Sequence, residues 1–177
     1  NVPLLLDVNC EWRALEAIEA GRRFRTHDLT WFEEPVFPPE DYRALREVGA
    51  ACGIPIAAGE NFCFATQFDA LFQARAVQYA QPSVTKVGGV SEFLKIMALA
   101  QTHNVRLAPH SPYFGPGALA TLQLLAAYTE PAWFEYFYLW PEAKPYSGHL
   151  DPVDGMLEWT ALPRNATNCR ASSSGPP

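Results

Sequence analysis

Residues 29–35 read LTWFEEP, a short apolar run that ends in two carboxylates and a proline. Two other apolar runs end in the same way, since residues 4–9 read LLLDVN and residues 54–61 read IPIAAGEN. The carboxylates that close these runs are spaced 26 and 27 residues apart, and they are Asp7, Glu33 and Glu60. That interval accommodates one strand, one helix and two loops, so it predicts successive β/α units.

Three more polar residues follow apolar runs at nearly the same interval along the chain. Lys86 follows VQYAQPSVT, His110 follows VRLAP and Glu135 follows AWF. In a closed parallel barrel, the residues that end the strands converge at one mouth, where metal and substrate sites are built. A single acidic residue at a strand end is usually a solvated charge, and the regular step is what sets this group apart.

The three carboxylates Asp7, Glu33 and Glu60 would repel one another at a common barrel mouth unless a cation lay between them. Ligand sets made only of carboxylate oxygens suit a hard divalent ion. We therefore predict that these residues bind Mg²⁺, with Mn²⁺ as the alternative ion. A zinc hydrolase would need several histidines at strand ends, and in this sequence His110 alone occupies such a place.

Apolar runs and helical periodicity predict alternating strands and helices. The predicted strands are Pro3–Val8, Leu29–Glu33, Ile54–Ala58, Ala76–Gln81, Val105–Pro109 and Ala132–Phe137. The predicted helices are Trp12–Phe24, Asp41–Cys52, Thr66–Gln73, Val90–His103 and Gly117–Ala127. The first strand is almost purely apolar, which is typical of a strand buried on both faces of a parallel sheet. Gly88 and Gly89 favour a tight turn at a helix start over the alternative, a phosphate cradle.

The element pattern predicts an α/β fold of the TIM-like barrel type, incomplete in this sequence. About six strand-helix units occupy residues 1–150, whereas a closed barrel of eight units needs roughly 200 to 250 residues. Residues 151–177 are expected to form a C-terminal extension whose last part, from Pro163, is disordered because it is rich in Ser, Gly and Pro. An open sheet leaves apolar edges exposed, so we expect the chain to be a fragment or to need a partner.

Composition excludes several classes of function. The 177 residues are 49% hydrophobic, enough for one domain with a sizeable core. A net charge of -6 without any basic run argues against a nucleic-acid partner. The apolar runs are too short or too polar to cross a membrane, and no secretory signal is visible at the start, so a cytoplasmic protein is expected.

The cysteines lack metal-ligand spacing. They stand at Cys10, Cys52, Cys63 and Cys169, with no pair separated by two residues. Reduced and mostly buried thiols are the expectation for such a pattern. Cys10 and Cys63 lie close to predicted metal ligands, which allows them to line the same pocket.

These motifs, taken in order, resemble the C-terminal barrel of the mandelate racemase and muconate-lactonizing group of the enolase superfamily. The resemblance covers residues 1 to about 150 and rests on DVN at 7–9, WFEEP at 31–35, GEN at 59–61, KVGG at 86–89 and PHS at 109–111. It implies a modified (β/α)7β barrel. It also implies an N-terminal capping domain and two first barrel strands, both of which are expected to be missing from this sequence.

The resemblance further implies a Mg²⁺-dependent isomerase or lyase that removes the proton beside the carboxylate of a small hydroxy acid or acid sugar. The enediolate formed would lead to racemisation, dehydration or cycloisomerisation, and in this superfamily a Lys or His base works together with the metal. By this resemblance His110 is the acid-base residue, Lys86 holds substrate or lowers a neighbouring pKa, and Glu135 donates a hydrogen bond to the enediolate oxygen. Residues expected to contact the ligands or the substrate are Asn9, Glu34, Asn61 and Ser83.

Ser83 departs from the family pattern. The racemase-like branch usually has Asp at this position, which orients and charges the histidine, and the lactonizing and epimerase branches usually have a lysine base. Serine does neither job well, so either His110 works with another partner, or the main base lies on the missing strands, or the reaction has been lost. The alternative function is therefore a catalytically inactive truncated barrel that binds metal or serves as an interaction fragment. Family members often form symmetric oligomers, so a homo-oligomer is expected.

Overall fold

A computed structural model describes residues 2–113, 115–137 and 150–157 of the chain. The strands are β1 (Leu4–Asp7), β2 (Leu29–Glu33), β3 (Ile56–Ala58), β4 (Tyr79–Ala80) and β5 (Arg106–Leu107). The helices are α1 (Ala14–Phe24), α2 (Tyr42–Cys52), α3 (Ala65–Gln73), α4 (Val90–Thr102) and α5 (Pro116–Ala126). The strands form one sheet in the order β1-β2-β3-β4-β5, and each is parallel to its neighbour, which confirms the predicted α/β fold.

Local signals in the sequence fix where the helices begin and end. The side chain of Asp41 accepts a hydrogen bond from the Ala44 backbone N–H and so caps the start of α2. Gly53 ends α2 in the left-handed conformation. Gly88 and Gly89 have φ values of 84° and 92° immediately before α4, which confirms the predicted tight turn.

Each face of the sheet carries a cluster of buried apolar side chains. On one face the helices bury a large apolar cluster that includes Phe32, Ile56, Phe68, Leu71, Phe93, Ile96 and Leu107. The other face carries a smaller cluster made of Trp31, Ala57, Tyr79 and Ala108. Trp31 and Phe32 are adjacent in β2 and point to opposite faces, as the alternation of a strand requires.

The expectation that the first strand is buried on both faces is wrong. Leu4 is 51% exposed and Leu5 is 38% exposed. The reason is that β1 pairs only with β2, and its other edge has no strand beside it within the described residues. An apolar edge of this kind is the feature expected of an unclosed sheet.

The predicted sixth strand, Ala132–Phe137, does not form in the described part of the chain. The Glu135 backbone N–H donates to the Ser111 hydroxyl, and that hydroxyl donates to the Glu135 carbonyl oxygen at 3.0 Å. The Ser111 side chain thus pairs the backbone N–H and carbonyl of Glu135, which a strand ladder would otherwise pair. Trp133 still packs edge-on against Trp31, with ring centroids 5.6 Å apart.

The expectation of mostly buried thiols is also corrected for the described cysteines. Cys52 is buried, whereas Cys10 is half-buried and Cys63 is exposed, and none of the three forms a disulfide. Cys169 and the tail that was expected to be disordered lie outside the described residues. Among the described helices, none has the length and apolar character needed to cross a bilayer.

Gly21 lies where α1 crosses α2, and replacing it by alanine is expected to destabilise the fold. A Cβ at this position would overlap the Cys52 sulfur and lie 3.3 Å from a ring carbon of Phe32. The free energy of unfolding should fall by about 1–3 kcal/mol from overpacking, more than offsetting a gain in helix propensity of up to about 1 kcal/mol. Urea denaturation measures the change.

The control is the same substitution in a Cys52→Ala background, where the overlapping sulfur has been removed. Gly21→Ala should cost less there, because neighbouring sites that share a clash are not additive. An equal loss in both backgrounds would show that the sulfur is not the obstacle.

Candidate active site at the carboxyl ends of the strands

The parallel strands bring Asp7, Glu33 and Glu60 to the same end of the sheet, where the strands have their carboxyl ends. Asp7 is the register partner of Glu33 across β1 and β2, and Glu60 follows the end of β3. The charge of Asp7 acts on both Glu33 and Glu60. In the part of the chain that the structure describes, no group of three or more His, Cys, Asp or Glu side chains has the arrangement of a metal site. Metal binding by these residues therefore stays a prediction.

Glu33 is a desolvated carboxylate held by an indole. It is 8% exposed, and the Trp31 Nε1–H donates to its Oε2 at 2.8 Å. Burial raises the pKa of Glu33 to about 7, the charge of Asp7 adds to this shift, and hydrogen bonds from Trp31 and Gln81 oppose it. The two donors orient the carboxylate without neutralising it.

Glu60 lies between His110, the predicted acid-base residue, and Lys86, which was predicted to hold substrate or lower a neighbouring pKa. Its Oε2 is 3.3 Å from His110 Nε2, and its Oε1 is 3.7 Å from Lys86 Nζ. Burial raises the pKa of Glu60 to about 7, the nearby Glu34 adds to the shift, and Lys86 opposes it. The structure thus brings Lys86 and His110 against a predicted metal ligand.

His110 is mostly buried and is joined to Ser83 through Tyr113. Burial, followed by the charge of Lys86, lowers the pKa of His110 to about 4, so the imidazole is neutral at pH 7. Its Nδ1 lies 3.1 Å from the Tyr113 hydroxyl, which is also hydrogen-bonded to the Ser83 hydroxyl. Ser83 is fully buried, and its hydroxyl lies 3.0 Å from that of Thr85.

Glu34 occupies a strained and buried position next to Glu33. Its φ of 38° is uncommon for a residue other than glycine, and such strain concentrates at functional sites. Its Oε2 accepts hydrogen bonds from Asn61 Nδ2 at 2.7 Å and from the Cys10 thiol at 3.1 Å. Its Oε1 is buried and has no hydrogen-bond partner among the described residues.

Glu135 and Asn9 complete the predicted set. The Ser111 backbone N–H donates to Glu135 Oε2 at 3.0 Å, and the Asn9 backbone N–H donates to Asp7 Oδ1 at 2.8 Å. Glu135, Asp7 and Glu33 face one cavity of about 190 Å³. The remaining lining residues are Leu5, Trp31, Gln81, Ala108, Trp133 and Phe134.

The sequence pattern did not identify four residues that support the site: Trp31, Gln81, Thr85 and Ser111. A signal existed for Trp31, because it precedes Glu33 by two residues in β2 and therefore shares its face. No pattern announces Gln81, which is 3% exposed and whose Oε1 has no partner among the described residues.

The ligand atoms at the carboxyl ends of the strands suit a hard divalent cation. Asp7, Glu33 and Glu60 offer only oxygen atoms, which is the ligand type that Mg²⁺ prefers. Two of these carboxylates have raised pKa values because they are buried near other negative charges, a cost that a bound cation would relieve. The buried, unpartnered Glu34 Oε1 is a further acceptor beside them.

Comparison with known proteins gives one matching family and several related enzymes. The family model described as "Enolase C-terminal domain-like" matches residues 1–163. L-talarate/galactarate dehydratase of Salmonella typhimurium is 37% identical over 135 residues, which cover 76% of this chain and 32% of that protein. D-galactarolactone cycloisomerase of Agrobacterium fabrum is 39% identical over 129 residues, covering 73% of this chain and 34% of that protein.

Solved structures give the same picture. L-talarate dehydratase from Polaromonas sp. JS666, complexed with Mg and L-glucarate, superposes with a TM-score of 0.69 at 34% identity, over 77% of this chain and 36% of that one. A racemase from Streptomyces coelicolor with bound magnesium gives a TM-score of 0.71 at 31% identity, over 77% of this chain and 37% of that one. The chain spans about a third of the length of these relatives.

Glu33→Gln is expected to stabilise the metal-free protein. Glutamine keeps an acceptor for the Trp31 indole but carries no charge in this buried place beside Asp7. The free energy of unfolding should rise by about 0.5–2 kcal/mol, as is common when a functional group that opposes folding is removed. Thermal unfolding in EDTA measures it.

Glu19→Gln is the matched control, because it is the same substitution on the exposed side of α1. It should change stability by no more than about 0.5 kcal/mol. A Glu33→Gln protein less stable than both the control and the parent would mean that the carboxylate contributes to folding rather than opposing it.

Proposed function

Because the chain belongs to the enolase superfamily, in the group of mandelate racemase and the muconate-lactonizing enzymes, we propose a Mg²⁺-dependent enzyme that removes the proton beside a substrate carboxylate. The observation that carries the proposal is the cluster of carboxylates at the strand ends with a neutral histidine against one of them. The substrate class is a small hydroxy acid or acid sugar, supported by relatives named for galactarate and galactarolactone. Racemisation, dehydration and cycloisomerisation all begin with this step.

Asp7, Glu33 and Glu60 would hold the Mg²⁺. Bound there, the ion supplies Lewis-acid stabilisation of the negative charge that develops on the substrate carboxylate. Trp31 and Gln81 would keep the Glu33 carboxylate oriented through their hydrogen bonds. Residues that orient ligands in this way contribute strongly to metal affinity.

His110 would exchange a proton with the substrate at Nε2, the nitrogen that faces Glu60. A neutral imidazole in a buried place is suited to acid-base work at pH 7. Lys86, whose Nζ is 3.7 Å from Glu60, would offer its positive charge to a carboxylate substrate. Glu135, held by Ser111 in the cavity shared with Asp7 and Glu33, would donate a hydrogen bond to the enediolate oxygen when it is protonated.

The alternative is an inactive truncated barrel that binds metal or associates with another protein. Leu4 and Leu5 are exposed along an unpaired edge within the described residues, and such edges favour association with another strand. Magnesium binding without any proton exchange would favour this alternative over the enzyme.

Mg²⁺ is expected to stabilise the protein through Asp7. A ligand that binds only the folded state adds about 2.7 kcal/mol at a free concentration of 100 times its Kd. Asp7→Asn should remove most of this gain, and thermal unfolding with and without Mg²⁺ measures it. Asp28→Asn is the control, because Asp28 is exposed at the opposite end of β2 and has a φ of 51° that asparagine tolerates. Equal stabilisation of the parent, Asp7→Asn and Asp28→Asn proteins by Mg²⁺ would show that Asp7 is not a metal ligand.

Proton abstraction is tested by incubating the complete protein in D₂O with Mg²⁺ and a panel of hydroxy acids and acid sugars. Loss of the α-proton signal by ¹H NMR is the expected result for at least one compound, and EDTA should abolish it. Glu60→Gln should lose both exchange and magnesium affinity, because the substitution removes a charged ligand. No exchange across the panel, together with unchanged magnesium affinity in Glu60→Gln, would overturn the proposed function.

A further inference from the structure

Each described turn that leads from a helix into the next strand contains one residue with a positive φ. The turns before β2, β3, β4 and β5 have φ values of 51°, 68°, 53° and 58° at Asp28, Gly53, Arg75 and Asn104. Glycine adopts this left-handed conformation routinely, and asparagine and aspartate tolerate it better than other residues with a side chain. Arg75 is therefore the exception among four equivalent positions.

The turn at Arg75 has the same hydrogen bonds as the turn at Asn104. In both turns the left-handed residue donates its N–H to the carbonyl three residues earlier, and the next N–H donates to the carbonyl five residues before it. This is the Schellman motif, whose left-handed position is usually glycine and sometimes asparagine. An arginine backbone is strained there, and strain of this kind concentrates at functional sites. The side chain of Arg75 is therefore the place to look for a function.

Arg75 and Arg46 line one cavity of about 330 Å³ at the amino ends of β3 and β4. Arg46 belongs to α2, which precedes β3, and Arg75 belongs to the turn that precedes β4. Neither arginine forms an ion pair within the described part of the chain, and the described residues that line the cavity include no acidic side chain. Two positive charges on one concave surface repel each other, and an anion bound between them would remove that repulsion.

The other lining residues provide space and a further hydrogen-bond donor. Gly53 lines the cavity, and a Cβ there would meet no atom within 4 Å. Gln78 also lines it, and its Oε1 accepts from the Ile56 backbone N–H at 2.9 Å, which fixes the amide orientation and leaves Nε2 as a donor. Guanidinium groups bind phosphate and carboxylate oxygens in pairs. Two guanidinium charges match a phosphate group, which carries nearly two negative charges at pH 7, better than a single carboxylate.

We propose that Arg46, Arg75 and Gln78 form a binding site for a phosphate group, either free or carried by a phosphomonoester. The site lies at the amino ends of the strands, whereas the carboxylates of the candidate active site lie at the carboxyl ends. It therefore goes beyond the proposed function and does not depend on it. Because both arginines are exposed to solvent, binding should weaken as the salt concentration rises.

The site is tested by thermal unfolding of the full chain in EDTA with inorganic phosphate, glycerol 3-phosphate or potassium chloride at equal ionic strength. Phosphate should raise the melting temperature above its value in chloride, because a ligand that binds only the folded state stabilises it. Arg46→Gln should remove most of this gain, whereas Arg23→Gln, at an exposed arginine of α1 that does not line the cavity, should retain it. A gain from both phosphate compounds would identify a carried phosphate group as a ligand, and a gain from inorganic phosphate alone would identify the free anion.

Arg75→Asn separates binding from backbone strain. Asparagine tolerates the left-handed conformation, so without phosphate this variant should melt about 2–4 °C above the parent, and it should lose the gain from phosphate. Asn104→Arg is the matched control, because it places an arginine in the equivalent turn before β5. It should melt below the parent and keep the gain from phosphate. A parent protein that phosphate stabilises no more than chloride does, or a gain that persists in both Arg46→Gln and Arg75→Asn, would overturn the proposal.

Discussion

The parallel pairing of β1 with β2 is the constraint on which the rest of the site depends. It places Asp7 opposite Glu33 in register, so two carboxylates end adjacent strands at the same edge. A slip of one residue would turn one of the two side chains to the opposite face of the sheet. The apolar runs before these carboxylates therefore do more than form strands, because their pairing fixes the register that brings the two charges together.

Collecting these charges works against folding, and the surrounding residues limit the cost. Trp31 donates to Glu33, and Lys86 and His110 lie against Glu60, so each buried carboxylate has a partner. The pKa values of Glu33 and Glu60 are nevertheless raised, which shows that desolvation exceeds this compensation. Residues kept in such an unfavourable arrangement are typically functional, because selection for stability alone would have replaced them.

The sequence predicted the alternation of elements well where local signals were strong. The bounds of β2 and of α2 follow from an apolar run and from Asp41 and Gly53. The segment 132–137 was mistaken for a strand because it is short and apolar, and periodicity cannot reveal that the Ser111 side chain satisfies its backbone. The exposure of β1 was missed for a related reason. Burial on both faces depends on a neighbouring strand, and no pattern within the run itself reports whether one exists.

The sequence placed Asp7, Glu33, Glu60 and His110 at the ends of their strands, but it did not predict the partner of His110. Ser83 looked unable to assist a histidine, because a hydroxyl neither carries charge nor acts as a base. The structure gives the missing step, which is that Tyr113 bridges the two residues. Tyr113 follows His110 by only three residues, yet its contact with Ser83 spans 30 residues and depends on where β4 and β5 end. A hydroxyl can donate and accept at once, so a chain of hydroxyls takes its direction from the group at its end. Here the group at the end is the His110 imidazole, and Tyr113 links it to Ser83 and Thr85 through hydroxyl contacts alone.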